Sequence, residues 1–431
     1  MVYLLYDLAL VLSSLILVPY YLLRGLRYGK TRRGIRERLG FFDPGSMAKL
    51  KGRLVIWIHA VSVGETKAAI PLLKALRQQY PDAALVLSNV TETGRAVASE
   101  VDVVDLCLFF PFDLSWAVRR TLHQVAPTMI LIVETEIWPN FVRIAHERGT
   151  PVMLVNGRLS DRSFPRYFRF RKYLSGLLGM VASFCMQTDH DARRARRIGA
   201  PSERVMVTGN LKFDLAVPDI KDEDQQRIRQ SLKLTKNLPI WVAGSTHAGE
   251  EEIVARINQR LKAKGLDQIL ILVPRHPERA RLVGEQLTTM GVNWTLRSEI
   301  ATRSRPFEAG DVLLVDSIGE MLNFYAISYA VFVGGSLVPV GGHNILEALL
   351  MKKPVLFGTH MQNFKEISSL VLQSGGGIQV ADEGDLEAQL KKLLEDLDRC
   401  RKLGINGFAL LAEHTGATGK TLGEVSRILE H

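Results

Sequence analysis

The sequence predicts an α/β protein with two doubly wound parallel sheets. Short apolar runs without polar alternation recur along the chain, as expected for strands that are buried on both faces. Stretches with helical spacing lie between these runs, and the strand pattern stops near residue 215 and restarts near residue 238. A chain of 431 residues is also long for one hydrophobic core, so two domains are expected.

The first domain is predicted over residues 50–217 and the second over residues 238–400. A polar segment at 218–237 is typical of a linker with a surface helix, and the helical pattern of residues 401–431 is compatible with a return to the first domain. The predicted strands lie at 53–60, 84–90, 104–112, 128–134, 151–156, 239–244, 268–275, 312–317, 329–335 and 353–358.

Net charge and cysteine content limit the class of protein. The formal charge of +10 indicates an anionic partner, which would be nucleic acid, a membrane surface or a phosphorylated ligand. Cys107, Cys185 and Cys400 are far apart and form no CxxC or Cys/His cluster. This pattern favours a reducing compartment and argues against a structural zinc site. We expect no metal.

The amino-terminal region predicts membrane attachment. Residues 1–23 contain Asp7 as their only charge, and residues 24–40 hold seven Arg or Lys residues against Glu37. We expect a membrane anchor helix at 1–23, a basic juxtamembrane segment at 24–49 against anionic lipid, and cytoplasmic domains thereafter. Asp7 and Pro19 leave open a helix that lies in the membrane interface. The alternative is a buried first helix with a solvated basic flank.

The stretch GGSLVPVGGHNILEA (334–348) is the main candidate for a nucleotide site. Glycines that follow a strand allow a ligand to approach the backbone, and a helix that starts at GGHN would offer free N–H groups to a phosphate. Asn344 and Glu347 would share one face of that helix, and the Glu347 carboxylate suits ribose hydroxyls. The alternative is a capping arrangement with glycines for tight turns.

The first domain supplies candidates for acid–base chemistry. Glu65 follows Ser62 and Gly64 in HAVSVGE, at the tip of the first strand, and could accept a proton from an attacking hydroxyl. Glu134 and Glu136 follow another strand in the same way. In the alternative interpretation, Glu65 only complements the helix dipole and one of the other two carboxylates is solvated.

Cations follow several other predicted strands or precede the linker. Lys212, in GNLKFD, lies just before the linker, and VPRHPER places Arg275 and His276 where they could bind phosphate, although a surface ion pair is the alternative. In DSIGEM, we expect Gly319 and Glu320 at the start of a further helix, and the alternative is that Asp316 or Ser317 only caps that helix.

The stretch from 156 to 174 interleaves basic and aromatic residues, among them Arg158 and Arg162. Such a pattern can bind nucleic acid. On a membrane-attached cytoplasmic protein we favour a phosphorylated lipid and expect no nucleic acid, while a solvated amphipathic helix stays open. Ser62, Gly64, Arg158 and Arg162 are our candidates for the acceptor site.

Seven motifs in this order resemble those of the 3-deoxy-D-manno-oct-2-ulosonic acid (Kdo) transferases of Gram-negative bacteria: HAVSVGE, ETEIWPN, NGRLSDRS, GNLKFD, VPRHPER, DSIGEM and GGSLVPVGGHNILEA. The resemblance covers nearly the whole chain, including the amino-terminal anchor. It implies a GT-B fold, with two Rossmann-like domains facing a central cleft. It also implies inverting transfer of Kdo from CMP-Kdo to lipid IVA, without metal or cofactor, at the cytoplasmic face of the inner membrane.

The resemblance also implies roles for individual residues. Glu65 would be the general base, and a glutamate of ETE (Glu134 or Glu136) would stabilise the transition state together with Lys212. The residues expected against CMP are Pro274, Arg275, Gly319, Glu320, Met321, Asn344, Ile345, Leu346 and Glu347. Ala348 stands where the family more often has Pro, which is a minor departure.

Three other functions stay open from the sequence. A GT-B enzyme that uses a UDP-sugar and a lipid acceptor would share the architecture, as would a nucleotide-sugar epimerase, which has no need of an anchor. A membrane scaffold would need no nucleotide. The number of Kdo residues added and the oligomeric state are not predicted by these motifs.

Overall fold

The computed structural model describes residues 3, 5–13, 34–215, 220–234 and 237–430. Two compact units divide the chain: the first comprises Met1–Asp214 with His414–His431, and the second Leu215–Glu413. Residues 1, 2, 4 and 14–23 of the predicted anchor and the basic cluster at 24–33 lie outside the described residues, as does part of the predicted linker. Within the described ranges, no helix has both the length and the apolar character needed to cross a membrane.

The first unit contains a seven-stranded, all-parallel sheet in the order β3-β2-β1-β4-β5-β6-β7. Its strands are β1 (Val55–His59), β2 (Ala84–Asn89), β3 (Leu106–Phe109), β4 (Met129–Val133), β5 (Val152–Gly157), β6 (Ser183–Met186) and β7 (Val205–Val207). Its helices are α1 (5–13), α2 (Ile35–Arg38), α3 (Pro44–Ala48), α4 (Val63–Gln79), α5 (Glu92–Ser99), α6 (Ser115–Val125), α7 (Pro139–Glu147), α8 (Phe164–Arg169), α9 (Arg171–Leu178), α10 (Asp189–Arg197) and, at the end of the chain, α19 (Ala417–Leu429).

Both faces of this sheet are covered by helices. Alternate residues of β1 belong to different cores: Val55 and Trp57 pack on one face, whereas Ile56 and Ile58 pack on the other with residues of α4 and α19. All five residues of β1 are buried. This double burial explains why the strand is continuously apolar rather than alternating.

The second unit contains another seven-stranded parallel sheet, in the order β10-β11-β9-β8-β12-β13-β14. Its strands are β8 (Ile240–Thr246), β9 (Ile269–Pro274), β10 (Trp294–Leu296), β11 (Val312–Leu314), β12 (Ala330–Val333), β13 (Val355–Phe357) and β14 (Gly377–Gln379). Its helices are α11 (Asp222–Ser231), α12 (Glu250–Ala263), α13 (Ala280–Thr289), α14 (Met321–Ile327), α15 (Leu346–Leu350), α16 (Lys365–Gln373), α17 (Glu383–Glu395) and α18 (Leu397–His414). Short 3₁₀ turns cover Ser202–Arg204, Leu211–Phe213, Pro277–Arg279, Arg297–Thr302 and Gln362–Phe364.

The strand order fixes where loops can meet. In the first sheet the order reverses between β1 and β4, and in the second between β8 and β12. In open parallel sheets, the loops that leave the carboxyl ends of the two strands at such a reversal diverge and leave a crevice. The loops after β1 and β4 carry Glu65, Glu134 and Glu136. Those after β8 and β12 carry the segments 247–250 and 334–345.

The doubly wound parallel architecture was correctly predicted for both units, but four strands were missed. These are β6, β7, β10 and β14, each three or four residues long. Three of them lie at sheet edges, where one flank is unpaired and a strand needs less apolar sequence. Such short runs give too weak a hydrophobic signal to be recognised.

Candidate active site

Glu65 lies in the first turn of α4 and accepts two hydrogen bonds. Its Oε2 accepts from the Val61 N–H at 2.7 Å, and its Oε1 accepts from the Ser62 hydroxyl at 3.1 Å. Ser62 is the N-cap of α4, and its Oγ accepts from the Glu65 N–H at 3.5 Å. Ser62 thus caps α4 and, together with the Val61 N–H, orients the Glu65 side chain. Two donors do not use all of its lone pairs, so capacity remains for another proton donor.

The environment of Glu65 favours its protonated form. Burial, and then the negative charge of Glu134, raise the pKa of the Glu65 carboxyl from 4.5 to about 7. The hydrogen bonds from Val61 and Ser62 oppose this shift because they stabilise the carboxylate. A base whose pKa lies near neutral pH can both take up a proton readily and be deprotonated in a large fraction of molecules.

Glu134 and Glu136 follow β4 on the opposite side of the strand-order reversal. Glu134 adopts φ = 61°, in the left-handed region, and its N–H donates to the Val155 carbonyl at 2.9 Å. For a residue with a side chain this conformation is strained, and such strain clusters at functional sites. Burial, and then Glu134, raise the pKa of Glu136.

Lys212 brings a cation to this group of carboxylates. Its Nζ lies 3.7 Å from Glu134 Oε1. The turn that carries it is held by two asparagines: Asn156 Oδ1 accepts from the Leu211 N–H, and Asn210 Oδ1 accepts from the Lys212 N–H, each at 3.0 Å. Asn156 is fully buried and also has φ = 54°. The strands β1, β4 and β5 thus position one group of three carboxylates and a lysine.

In the second unit, Glu250 is a fully buried carboxylate that accepts four backbone hydrogen bonds. Oε2 accepts from the N–H groups of His247 at 3.0 Å and Gly335 at 2.7 Å. Oε1 accepts from Ser336 at 3.1 Å and Leu337 at 3.0 Å. Glu250 therefore joins the loop after β8 to the loop after β12 across the point where the strand order reverses.

The glycine pair after β12 makes room for this arrangement. A Cβ at Gly334 would lie 2.7 Å from Glu250 Oε2 and 2.7 Å from the Ser245 carbonyl oxygen. Gly335 has φ = 66°, and a Cβ there would lie 2.9 Å from a ring carbon of His343. Its own N–H is already bound by Glu250. The backbone of these glycines therefore lies close to Glu250, Ser245 and His343 of the same unit.

Two histidines meet above Gly335. His247 Nε2 and His343 Nε2 are 2.8 Å apart and their rings are nearly coplanar, with an interplanar angle of 5°. His276 contacts His247 edge-on. Burial lowers the pKa of His247, the negative charge of Glu250 opposes this, and the positive charges of Arg275 and Arg279 lower the pKa further. The carboxyl ends of β8, β9 and β12 thus form a concentration of cationic and imidazole groups suited to an anion. No group of three His, Cys, Asp or Glu residues placed to hold a metal ion was found among the described residues.

The chain matches proteins of one family. Residues 33–215 match the family model described as 3-deoxy-D-manno-octulosonic-acid transferase (kdotransferase). A curated 3-deoxy-D-manno-octulosonic acid transferase of Haemophilus influenzae is 36% identical over 98% of this chain and 98% of its own length. One from Bordetella pertussis is 32% identical over 85% of this chain and 86% of its own length. This chain belongs to the Kdo transferase family. It is therefore a glycosyltransferase.

A solved glycosyltransferase has a similar fold. A glycosyltransferase from Rickettsia africae superimposes with a TM-score of 0.56 and 14% identity, covering 88% of this chain and 100% of the other. At that identity the likeness concerns the fold alone. The two parallel-sheet domains of this Kdo transferase therefore resemble those of GT-B glycosyltransferases.

One expectation for this Kdo transferase was wrong in its local geometry. We predicted that a helix starts at GGHN, with Asn344 and Glu347 on its first turn. The helix α15 starts at Leu346 and has five residues, so Asn344 precedes it. Asn344 Oδ1 accepts from the Leu346 N–H, and Asn344 Nδ2 donates to Glu347 Oε1, both at 3.1 Å. The Asn344 side chain thus caps the start of α15, and it also orients the Glu347 carboxylate.

The other residues expected against CMP lie at the carboxyl ends of neighbouring strands. Pro274 ends β9, and Arg275 and His276 are exposed beyond it, with the Arg275 N–H donating to the Thr246 carbonyl at 2.9 Å. Gly319 has φ = 91° and Glu320 is the N-cap of α14, which begins at Met321. Glu320 is paired with Arg297 at 2.9 Å. Ile345 and Leu346 are buried in the unit.

The acceptor candidates fall into two groups. Ser62 and Gly64 lie beside Glu65, and the backbone of Arg158 is hydrogen-bonded to the Thr135 hydroxyl of the ETE motif. Arg162 is exposed on the turn before α8. Beyond it, Arg194 and Arg197 lie over the ring of Phe164 at 5.0 and 5.2 Å. The basic-aromatic stretch is therefore a surface held by cation–π contacts.

Sequence reasoning missed Glu250 and Asn156. The only signal for Glu250 was the repeated Gly-Glu after the first strand of each domain, Gly64-Glu65 and Gly249-Glu250. The two glutamates differ in the number of donors, two for Glu65 and four for Glu250, and in burial. Only the fold shows that Glu250 has a structural role and that Glu65 keeps free capacity. No sequence pattern pointed to Asn156, because its role is to hold the turn of Lys212 through a bond to Leu211, which lies more than 50 positions away.

Proposed function

We propose that this chain transfers Kdo from CMP-Kdo to lipid IVA, with inversion at the anomeric carbon and without a metal, in lipopolysaccharide biosynthesis. Family membership supports the transfer of Kdo, and it implies a CMP-Kdo donor and a lipid A-type acceptor. The observation that carries the mechanism is the state of Glu65, a half-buried carboxylate with a pKa of about 7 and unused acceptor capacity.

Glu65 is the general base. The acceptor is an alcohol, which becomes a competent nucleophile when a nearby carboxylate takes its proton as the new bond forms. The Val61 N–H and the Ser62 hydroxyl hold the Glu65 carboxylate in place. Glu134 keeps the affinity of Glu65 for a proton high.

Glu134 and Lys212 act on charge in the transition state. Breaking the bond to CMP gives the sugar oxocarbenium character, which a carboxylate stabilises, while the departing phosphate gains negative charge, which a cation stabilises. The 3.7 Å separation of Lys212 Nζ from Glu134 Oε1 provides both signs of charge beside Glu65. Because Glu134 makes this contact with Lys212, we propose Glu134 as the glutamate of ETE that stabilises the transition state.

The second unit binds the donor. Arg275, His276, His247 and His343 gather at the ends of three adjacent strands and suit the CMP phosphate, and the Glu347 carboxylate, oriented by Asn344, suits the ribose hydroxyls. Pro274, Gly319, Glu320, Met321, Ile345 and Leu346 complete the proposed CMP site. The acceptor is bound by Ser62, Gly64, Arg158 and Arg162, the arginines pairing with its phosphates.

The chain works at the cytoplasmic face of the inner membrane. Residues 1–23 attach it, and the basic segment at 24–49 binds anionic lipid headgroups. A lipid acceptor with phosphates would lie in the same membrane surface. Binding to anionic lipids and to a phosphorylated acceptor is consistent with the net charge of +10.

The test is transfer by the detergent-solubilised full chain from freshly generated CMP-Kdo to lipid IVA, followed by the mass of the lipid product. We expect a product heavier by one or more Kdo units. The Glu65→Gln variant should lose at least about a thousandfold in kcat, the upper part of the range for general-base catalysis, yet bind CMP as the wild type does. Glu92→Gln is the matched control, since Glu92 is also a first-turn glutamate, in α5, and is exposed.

Each contrary outcome rejects a different step. Substantial residual transfer by Glu65→Gln would reject the base, and loss of transfer by Glu92→Gln would show that the assay reports something other than the site. No product from folded wild-type protein would reject the donor and acceptor. Competition by UMP but not by CMP would then indicate a UDP-sugar.

A further inference from the structure

The helix α1 uses one face to bind the first unit. Tyr6, Asp7 and Leu10 of α1, and Tyr3 just before it, are at least partly covered, whereas Leu5, Leu8, Ala9 and Leu12 are exposed. The covered residues follow an i, i+3, i+4, i+7 spacing, which defines one helical stripe. The helix therefore lies along the domain surface, and its second stripe faces away.

The contact is built around Asp7, the only charge in the apolar run of residues 1–23. Asp7 Oδ2 accepts from the Ser115 hydroxyl at 2.5 Å, and Oδ1 accepts from the Ser115 N–H at 3.2 Å and from Asn140 Nδ2 at 2.6 Å. The N-cap of α6 is Leu114, which has no side-chain acceptor. Asp7 thus supplies from a distant segment the cap that α6 lacks.

Neighbouring bonds reinforce the contact. The Tyr6 hydroxyl donates to Asp113 Oδ2 at 3.1 Å, and Asp113 in turn accepts from the N–H groups of Asn140 and Phe141 at the start of α7. The guanidinium of Arg143 lies over the ring of Tyr3 at 4.7 Å. Together these bonds join α1 to the amino-terminal ends of α6 and α7.

This contact limits the length of the apolar run that is left to cross a membrane. With residues 5–13 on the protein surface, ten uncharged residues, 14–23, remain before Arg24. At about 1.5 Å per residue, ten residues in a helix span about 15 Å, which is about half of a hydrocarbon core of about 30 Å. The run is then too short to cross a bilayer.

Other exposed apolar side chains stand next in sequence to the residues that hold α1. Leu5, Leu8 and Leu12 are 59%, 54% and 54% exposed. Phe112 and Trp116, at 42% and 52%, adjoin Asp113 and Ser115, the residues that hold Tyr6 and Asp7. Arg38 lies over the Phe112 ring at 5.8 Å. Leucine and tryptophan beside arginine are the composition of a surface that sits at the boundary of headgroups and acyl chains.

We propose that α1 is a membrane-surface helix, held on the first unit by Asp7 and Tyr6, and that Leu5, Leu8, Leu12, Phe112 and Trp116 enter the interface of an anionic bilayer without spanning it. The inference rests on the proposed membrane attachment and replaces a spanning anchor by an interfacial one. The amino terminus then stays on the same side of the membrane as the two domains.

Topology is tested with the full chain carrying an amino-terminal epitope tag, in inverted inner-membrane vesicles whose cytoplasmic face is outside. We expect added protease to digest the tag, because α1 does not carry it across. A tag protected until detergent is added would overturn the proposal. In Asp7→Leu, which loses the capping bonds and the only charge of the run, we expect a protected fraction to appear; complete digestion would overturn the role of Asp7.

The surface is tested by flotation of the untagged full chain with vesicles that contain phosphatidylglycerol. Leu8→Lys and Leu12→Lys should each weaken partitioning about tenfold, since each removes a leucine from the interface. Leu282→Lys is the control, because Leu282 is 53% exposed on α13 of the second unit. Equal partitioning of Leu8→Lys and the control would overturn the proposed surface. None of these readouts depends on transferase activity, so a failed proposal about the reaction would leave them interpretable.

Discussion

Replacing Glu134 should move the acid limb of the pH–activity profile to lower pH. The pKa of Glu65 lies at about 7 rather than 4.5, because of burial first and the charge of Glu134 second. At about 1.4 kcal/mol per pKa unit, this difference corresponds to about 3 kcal/mol of preference for the protonated form. Removing the Glu134 charge removes part of that preference, so the pKa of Glu65 should fall.

The expected size follows from the order of the causes. Burial contributes more than Glu134, so the Coulombic part is less than the whole shift, and we expect the acid limb in Glu134→Gln to fall by about one pH unit. A base acts as the carboxylate, so activity is lost as pH falls through the pKa. At a pH one unit below 7, the variant therefore retains a larger fraction of its own maximal kcat/KM than the wild type does.

The assay is kcat/KM for Kdo transfer between pH 5 and pH 9, since that quantity reports groups of the free enzyme. Only the pH at which the acid limb falls is compared between variants. The maximal rate of Glu134→Gln should also decrease, because Glu134 is proposed to stabilise the transition state. Glu136→Gln is the matched control: Glu136 is the smallest of the causes acting on Glu65, so its limb should move less. An unmoved limb in Glu134→Gln, or a larger shift in Glu136→Gln, would refute the electrostatic account.

Two further variants test stability rather than rate. Glu65→Gln should remove one part of the pH dependence of stability. Because the pKa of Glu65 is raised on folding from 4.5 to about 7, this carboxyl contributes up to about 3 kcal/mol that is lost as pH rises from 4.5 through 7. Urea denaturation at pH 5 and pH 8 should therefore show a smaller loss in the variant than in the wild type, and the loss that remains comes from other carboxyls with raised pKa values, such as Asp113 and Glu136. Glu250→Gln should destabilise the second unit by about 3 kcal/mol at pH 7, because an amide NH₂ would face backbone N–H donors; a urea midpoint equal to that of the wild type would show that those four bonds contribute little.

Much of this protein follows from its sequence. Apolar runs of five or more residues fixed the central strands of both sheets, because burial on two faces leaves no position for a polar residue. The seven ordered motifs carried a resemblance that family membership confirms, and that resemblance implied joint roles for Glu65, a glutamate of ETE and Lys212.

Tertiary structure decided the state of each residue. The same Gly-Glu sequence gives a structural carboxylate with four backbone donors at Glu250 and a carboxylate with unused acceptor capacity at Glu65. The difference arises because the loops that meet at the reversal of strand order set the number of donors around each carboxylate. Asp7 is the clearest case. As a sequence feature it is a charge inside a membrane-like run, whereas in the fold it is the cap of α6, a helix that starts more than a hundred residues later. A local pattern records hydrophobicity and spacing, but a hydrogen-bond partner is chosen by contacts that only folding brings together.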